Sequence, residues 1–184
     1  MPTPLTRDAW TDAALAVLTE AGLDAVRVER LARRLRVTKG SFYWHFRYRP
    51  ALLDAMVARW EHVATQAIVD EVDAHGGSPA ERLRRLFAIA LRVRPIPLDA
   101  AVRQWAGQDP RVRRAVVRVD ERRMGYLRHL FEGVGLAAGE AHARSFMAYS
   151  LLFGDHFIAA RATRRERDEV LARCTAMMLP TRRR

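Results

Sequence analysis

A chain of 184 residues has room for one compact body, or for a small module joined to a larger one. With 49% apolar and 29% charged residues it can fill a sizeable core, which argues against wholesale disorder, and no apolar run approaches the length that spans a bilayer. A formal net charge of +11 points to a polyanionic partner, nucleic acid or an acidic membrane face, without choosing between them.

Helical periodicity dominates from the start. Trp10, Ala13, Ala14, Val17, Leu18 and Ala21 form one apolar stripe, and Gly22 follows as a stop. After a short link, Leu23 to Val26, a second stripe runs through Val28, Leu31, Ala32 and Leu35, with Arg27, Arg30, Arg33 and Arg34 on the other faces. Those arginines either touch phosphate or solvate a helix. Arg36-Val37-Thr38 breaks the pattern, and Thr38 is placed to cap a third helix from Thr38 to Phe46, with Phe42 and Phe46 inward.

Pro50 opens a fourth helix whose stripe runs from Leu52 and Leu53 through Met56, Val57, Trp60, Val63, Ala64 and Ala67 to Ile68. His75-Gly76-Gly77-Ser78-Pro79 is the clearest break, and Ser78 and Pro79 start the next helix, with Leu83, Leu86, Phe87, Ala90 and Leu91 inward. Pro95-Ile96-Pro97 ends it. A shorter helix carries Val102 and Trp105, and Asp109-Pro110 starts a long one through Val112, Ala115, Val116, Val119, Leu127, Leu130 and Phe131 to Gly133. The rest divides into helices near Gly139 to Thr163 and Arg165 to Leu179. No period-two run or internal repeat appears. The expected fold is all-α, with about nine helices: a three-helix head on a larger helical body, reached through the long fourth helix.

Two short helices joined by a tight turn can set the second in the DNA major groove. The outward positions of Thr38 to Phe46 suit that use. Thr38, Ser41 and Tyr43 offer hydroxyls, Lys39 an ammonium and His45 a ring nitrogen. Gly40 leaves the helix start bare for a phosphate, Trp44 can pack on sugars or a thymine methyl, and Arg47 and Arg49 can hold the backbone. Lys39 is the only lysine among 32 cationic residues, although an arginine bias is also what a GC-rich genome produces.

The run Val37-Thr38-Lys39-Gly40-Ser41-Phe42-Tyr43-Trp44-His45-Phe46, followed by Ala51-Leu52-Leu53, strongly resembles the signature of TetR/AcrR-type transcriptional regulators. Gly22 and Leu31-Ala32-Arg33-Arg34-Leu35 fall in step with it, so the likeness covers about residues 8 to 57. It implies a homodimeric all-α regulator, most simply a repressor released from a near-palindromic operator by a small-molecule inducer. Residues 1–48 would bind DNA, and residues 49–184 would bind the effector and dimerise. The resemblance places Thr38, Lys39, Ser41, Tyr43, Trp44 and His45 at DNA-contact positions, Arg49 at a phosphate contact, and Phe42 and Phe46 in the head core. Arg36 stands at the usual turn glycine, which suggests that no positive φ is needed there. Arg27 and Tyr48 stand where small polar caps are usual, so two helix starts look under-capped.

In the body, Phe87, Trp105, Met124, Tyr126, Phe146, Tyr149 and Phe153 are candidates to line an effector cavity, or are ordinary core. Phe146, Leu151, Val170, Leu171, Cys174 and Met178 are candidates for a dimer seam. Asp120-Glu121-Arg122-Arg123 reads as a solvated, salt-bridged face. No phosphate loop, nucleophile elbow or HExxH pattern appears, so neither an enzyme nor a cofactor is expected. A metal is not expected either: His142 and His156 would lie roughly 20 Å apart along one helix. Cys174 is the sole cysteine, and Met1-Pro2-Thr3-Pro4-Leu5 lacks the order of a signal peptide, so the cytoplasm is the expected location and no membrane partner is foreseen. The alternative is an architectural binder driven by charge alone, indifferent to sequence.

Overall fold

The computed structural model describes residues 5–93, 96–158 and 163–179. Pro95 of the expected break, the side chain of His156, the opening Met1 to Pro4 and the Arg182-Arg183-Arg184 tail lie outside the described residues. Ten α-helices occur among these residues and no strand: α1 (Arg7–Ala21), α2 (Val28–Leu35), α3 (Gly40–Tyr43), α4 (Arg49–Glu61), α5 (Ala67–Asp73), α6 (Pro79–Val93), α7 (Ile96–Ala106), α8 (Pro110–Gly133), α9 (Ala138–Phe157) and α10 (Arg164–Met178). A π turn, His62–Gln66, joins α4 to α5, so the run counts as one expected long helix. None of the helices is long and apolar enough to cross a membrane.

The chain divides into two compact units, one of Met1–Ala64 with Pro97–Val117, the other of Thr65–Ile96 with Arg118–Arg184. The grouping differs from a cut after residue 48: α4, α7 and the start of α8 belong with the head.

The first unit is organised by aromatic burial. α1 begins at Thr6, whose hydroxyl accepts from the Ala9 N–H at 3.1 Å, and ends at Gly22, where φ is 76°. Its Trp10, Val17 and Leu18 are buried with Leu31 of α2, Phe42, Phe46, and Leu52, Met56 and Trp60 of α4. Trp10 meets Phe42 edge-on at 5.4 Å, and Phe42 stacks on Phe46 at 5.4 Å. Each such ring, fully removed from water, contributes about 2–3 kcal/mol. Surface ties add less: Arg34 grips Glu20 through two bonds of 2.7 and 2.8 Å, and Arg59 reaches Asp12. At the far end of α4, the Trp60 indole N–H donates to the Asp99 carboxylate of α7 at 2.6 Å, with both groups buried.

In the second unit, Ser78 and Glu81 form a reciprocal cap that opens α6, and Thr163 and Glu166 do the same for α10. Leu83 and Phe87 of α6 are buried with Leu127, Leu130 and Phe131 of α8, Ala141 and Ala148 of α9, and Met178 of α10. Ile89 is also buried, although the sequence pattern did not select it.

Candidate nucleic-acid interface

The helix expected from Thr38 to Phe46 is shorter in the structure. Only Gly40–Tyr43 is α-helical. Before it the bonds are of the tighter i to i−3 kind, Ser41 N–H to Thr38 C=O at 3.1 Å and Phe42 N–H to Lys39 C=O at 3.2 Å. After it Phe42 C=O accepts both an i−3 bond from His45 N–H at 3.0 Å and an i−4 bond from Phe46 N–H at 2.9 Å. Lys39, rather than Thr38, occupies the N-cap, and no side chain caps the helix. So short a helix has little macrodipole, and the expected phosphate seat at Gly40 loses most of its basis. A methyl at Gly40 would meet only the Thr38 hydroxyl at 3.7 Å, an ordinary contact.

The turn before it corrects a second expectation. Arg36 has φ 56° and ψ 42°, in the left-handed region. It closes α2 by the Schellman pattern, in which the Arg36 N–H bonds Arg33 C=O at 3.2 Å and the Val37 N–H bonds Ala32 C=O at 3.0 Å. That closure requires the left-handed conformation whatever the side chain, and a non-glycine residue there costs about 1 kcal/mol or more. The starts of α2 and α4, at Arg27 and Tyr48, lack side-chain caps, as their residue types imply.

What holds α3 in place is its inward pair. Phe42 and Phe46 are buried, and the Arg7 guanidinium lies 5.0 Å from the centre of the Phe46 ring. With those two rings fixed, the residues between them turn outward. Tyr43 is 56% exposed and Trp44 89%. Thr38, Lys39 and Gly40 are also exposed, and Ser41 and His45 are half-buried. Tyr48 and Arg47 join this surface, and the sequence pattern did not single out Tyr48 as a contact residue.

The cations divide. Arg49 is half-buried and turned inward, donating through Nε to Val26 C=O at 2.9 Å and through its NH2 to Leu23 C=O at 3.4 Å. It ties the start of α4 to the turn before α2, and a phosphate contact would require that fork to turn outward. Arg34 is committed to Glu20, while Arg30 and Arg33 lie on the exposed face of α2. Lys39 is exposed but paired: its ammonium lies 2.5 Å from the Glu29 carboxylate at the start of α2. A hydrogen bond from the Lys39 ammonium, then one from the backbone N–H of Glu29 itself, hold the Glu29 carboxyl below its ordinary value. Glu29 in turn raises the Lys39 ammonium.

Residues 11–56 match the profile of the bacterial regulatory proteins of the tetR family. The head is a tetR-family domain. The tetracycline repressor protein class D of Escherichia coli is 40% identical to this chain over 52 residues, 28% of this chain and 24% of that protein. The HTH-type transcriptional regulator SrpR of Pseudomonas putida is 37% identical over 57 residues, 31% of this chain and 27% of that protein. The chain thus matches about a quarter of the length of these curated relatives, over the tetR-family head alone. The fold likeness reaches further. SCO4454, a TetR-family transcriptional regulator from Streptomyces coelicolor, matches with a TM-score of 0.76 at 17% identity, over 94% of this chain and 93% of that one. A transcriptional regulator from Rhodococcus sp. Rha1 gives a TM-score of 0.71 at 22% identity, over 94% and 95% of the two chains. The all-α fold is therefore shared along nearly the whole chain.

Of the residues expected to line an effector cavity, Trp105 is buried in the same unit as the tetR-family head, and the other six belong to the second unit. There Phe87 is core, Tyr126 and Tyr149 pack against that core, Met124 and Phe153 are half-buried, and Phe146 is 62% exposed. The segment Asp120 to Arg123, read as a solvated face, is partly turned inward. The Tyr149 hydroxyl donates to Asp120 at 2.6 Å and accepts from Arg123 at 3.2 Å, and burial pushes the phenol up to about 12. Of the expected dimer seam, Phe146 and Val170 are exposed, and Leu151 and Cys174 are half-buried. Leu171 and Met178 are buried within the chain and have no surface left for a partner. Met147 and Met177, exposed on the same two helices, were not among the residues expected at the seam, although Met177 shares the apolar face of the last helix with Val170 and Cys174.

Proposed function

We propose that this protein is a sequence-specific DNA-binding transcriptional regulator, a repressor released from its operator by a small-molecule inducer. The observation that carries the reading is the division of labour in and around α3. Buried Phe42 and Phe46 fix the segment, and Lys39, Tyr43 and Trp44 are turned to solvent, with His45 half-exposed beside them, from a tetR-family head. Side chains of that kind, presented by a short helix, read base edges and hold phosphates in the major groove. We assign Thr38, Ser41 and Gly40 to the same contact surface.

Two heads are needed to read a near-palindrome, so the active species is a homodimer with recognition segments about one turn of DNA apart. The exposed apolar side chains Phe146, Met147, Val170 and Met177 supply a seam for it. An inducer releases DNA only by binding the released state more tightly than the bound one.

Selection of duplexes from a fully randomised library tests the reading. The expected result is enrichment of a near-palindrome whose affinity exceeds that of its scrambled version at matched salt. A steep salt slope with no enriched sequence would instead identify an architectural binder.

A further inference from the structure

Glu29 places a carboxylate against Lys39, a residue of the proposed contact surface. It is exposed, sits in the first turn of α2, and holds the Lys39 ammonium at 2.5 Å. A bare carboxylate would repel the DNA backbone. Paired with Lys39 it makes a unit of no net charge, which gains little from counterion release. Each partner nevertheless keeps unused hydrogen-bonding capacity: an ammonium has three donors, and a carboxylate has two acceptor oxygens.

We propose that the Glu29–Lys39 pair reads one G·C base pair, the ammonium donating to guanine N7 or O6 and the carboxylate accepting from the N4 amino group of the paired cytosine. The major-groove edge of G·C presents its two acceptors together and its donor at one end. A neighbouring cation and anion match that order. The edge of A·T presents its donor between two acceptors, which would set the carboxylate against an acceptor on both sides. Glu29 thus makes the motif's single lysine a reader of sequence rather than a holder of phosphate.

This inference rests on the reading of the chain as a sequence-specific regulator, and library selection separates the two. Wild type should enrich one invariant G·C pair in each half-site that Glu29→Gln relaxes about tenfold, with gains for A·T, because an amide pairs well with adenine. The other enriched positions should persist. Lys39→Ala should lose preference at the same pair. As a check that needs no variant protein, changing that G·C to A·T in the selected duplex should weaken wild-type binding about tenfold. If wild type enriches a sequence and Glu29→Gln enriches the same one with the same preferences, the inference falls and the regulator reading stands. If Glu29→Gln weakens all positions alike, Glu29 is a bulk charge and the inference also falls. If wild type enriches nothing, both fall.

Discussion

Arg36 shows how a single backbone angle can outweigh side-chain preference. The Schellman closure of α2 sets the turn that delivers α3, and the chain accepts a left-handed arginine to make it. Arg36→Gly should relieve that strain and, after the entropy glycine adds to the unfolded chain, raise stability by about 0.5–1 kcal/mol. A higher thermal midpoint with unchanged DNA affinity is the expected result, and an unchanged or lower midpoint would contradict it. Phe42→Ala should do the reverse, costing about 3–5 kcal/mol by opening a cavity between Trp10 and Phe46. Side-chain identity made Phe42 legible in the sequence, because aromatic residues four apart on a helix declare one face. The angle at Arg36 was not legible, since arginine rarely marks a left-handed turn. Nor was the inward turn of Arg49, because a guanidinium can bond a carbonyl or a phosphate and only the fold decides.

At the scale of elements, apolar spacing located the helices well. It failed where helix geometry changes pitch. The expected fourth helix includes a π turn at His62–Gln66, and the start of α3 tightens to i to i−3 bonding. Periodicity assumes 3.6 residues per turn and is blind to both. Polar joints between elements were equally hidden, because partners distant in sequence leave no local pattern. Trp60 and Asp99 are such a pair. Asp99→Ala would strand the indole N–H in the core and cost about 1–3 kcal/mol, whereas Asp99→Asn keeps an acceptor and should cost less. Denaturant midpoints of the two variants would test that order. The capping boxes carry a pH signature. Bonds from Ser78 and Thr163 hold the Glu81 and Glu166 carboxyls below their ordinary value of 4.5. Their stabilisation is complete above that value and is lost as pH falls through the lowered one. Protection factors for amides in the first turns of α6 and α10, corrected for the intrinsic pH dependence of exchange, should therefore fall in acid before those of the helix interiors.

For the whole molecule, the surplus of +11 bears on how the proposed DNA binding responds to salt, and the exposed apolar side chains of α9 and α10 carry the proposed dimer. Phe146→Glu or Val170→Glu should yield a monomer by sedimentation and lower operator affinity at least tenfold, because each half-site then binds alone. A dimer that persists in both variants would move the seam elsewhere. The residues of the proposed seam are only partly legible in the sequence. Helical phase alone cannot tell a stripe facing its own core from one facing a second copy, and Leu171 and Met178 proved to be the former.

The compact unit that contains the head is not a contiguous stretch of chain. It recruits Pro97–Val117, and with it the carboxylate that satisfies Trp60. Hybrid regulators made by exchanging heads at a junction after residue 64 would therefore graft a helix whose terminal indole has lost its acceptor. A transplant that carries residues 97–117 along, or that replaces Trp60 with a phenylalanine needing no acceptor, should keep the donor head intact. The portable module is set by packing, not by the limits of the family motif.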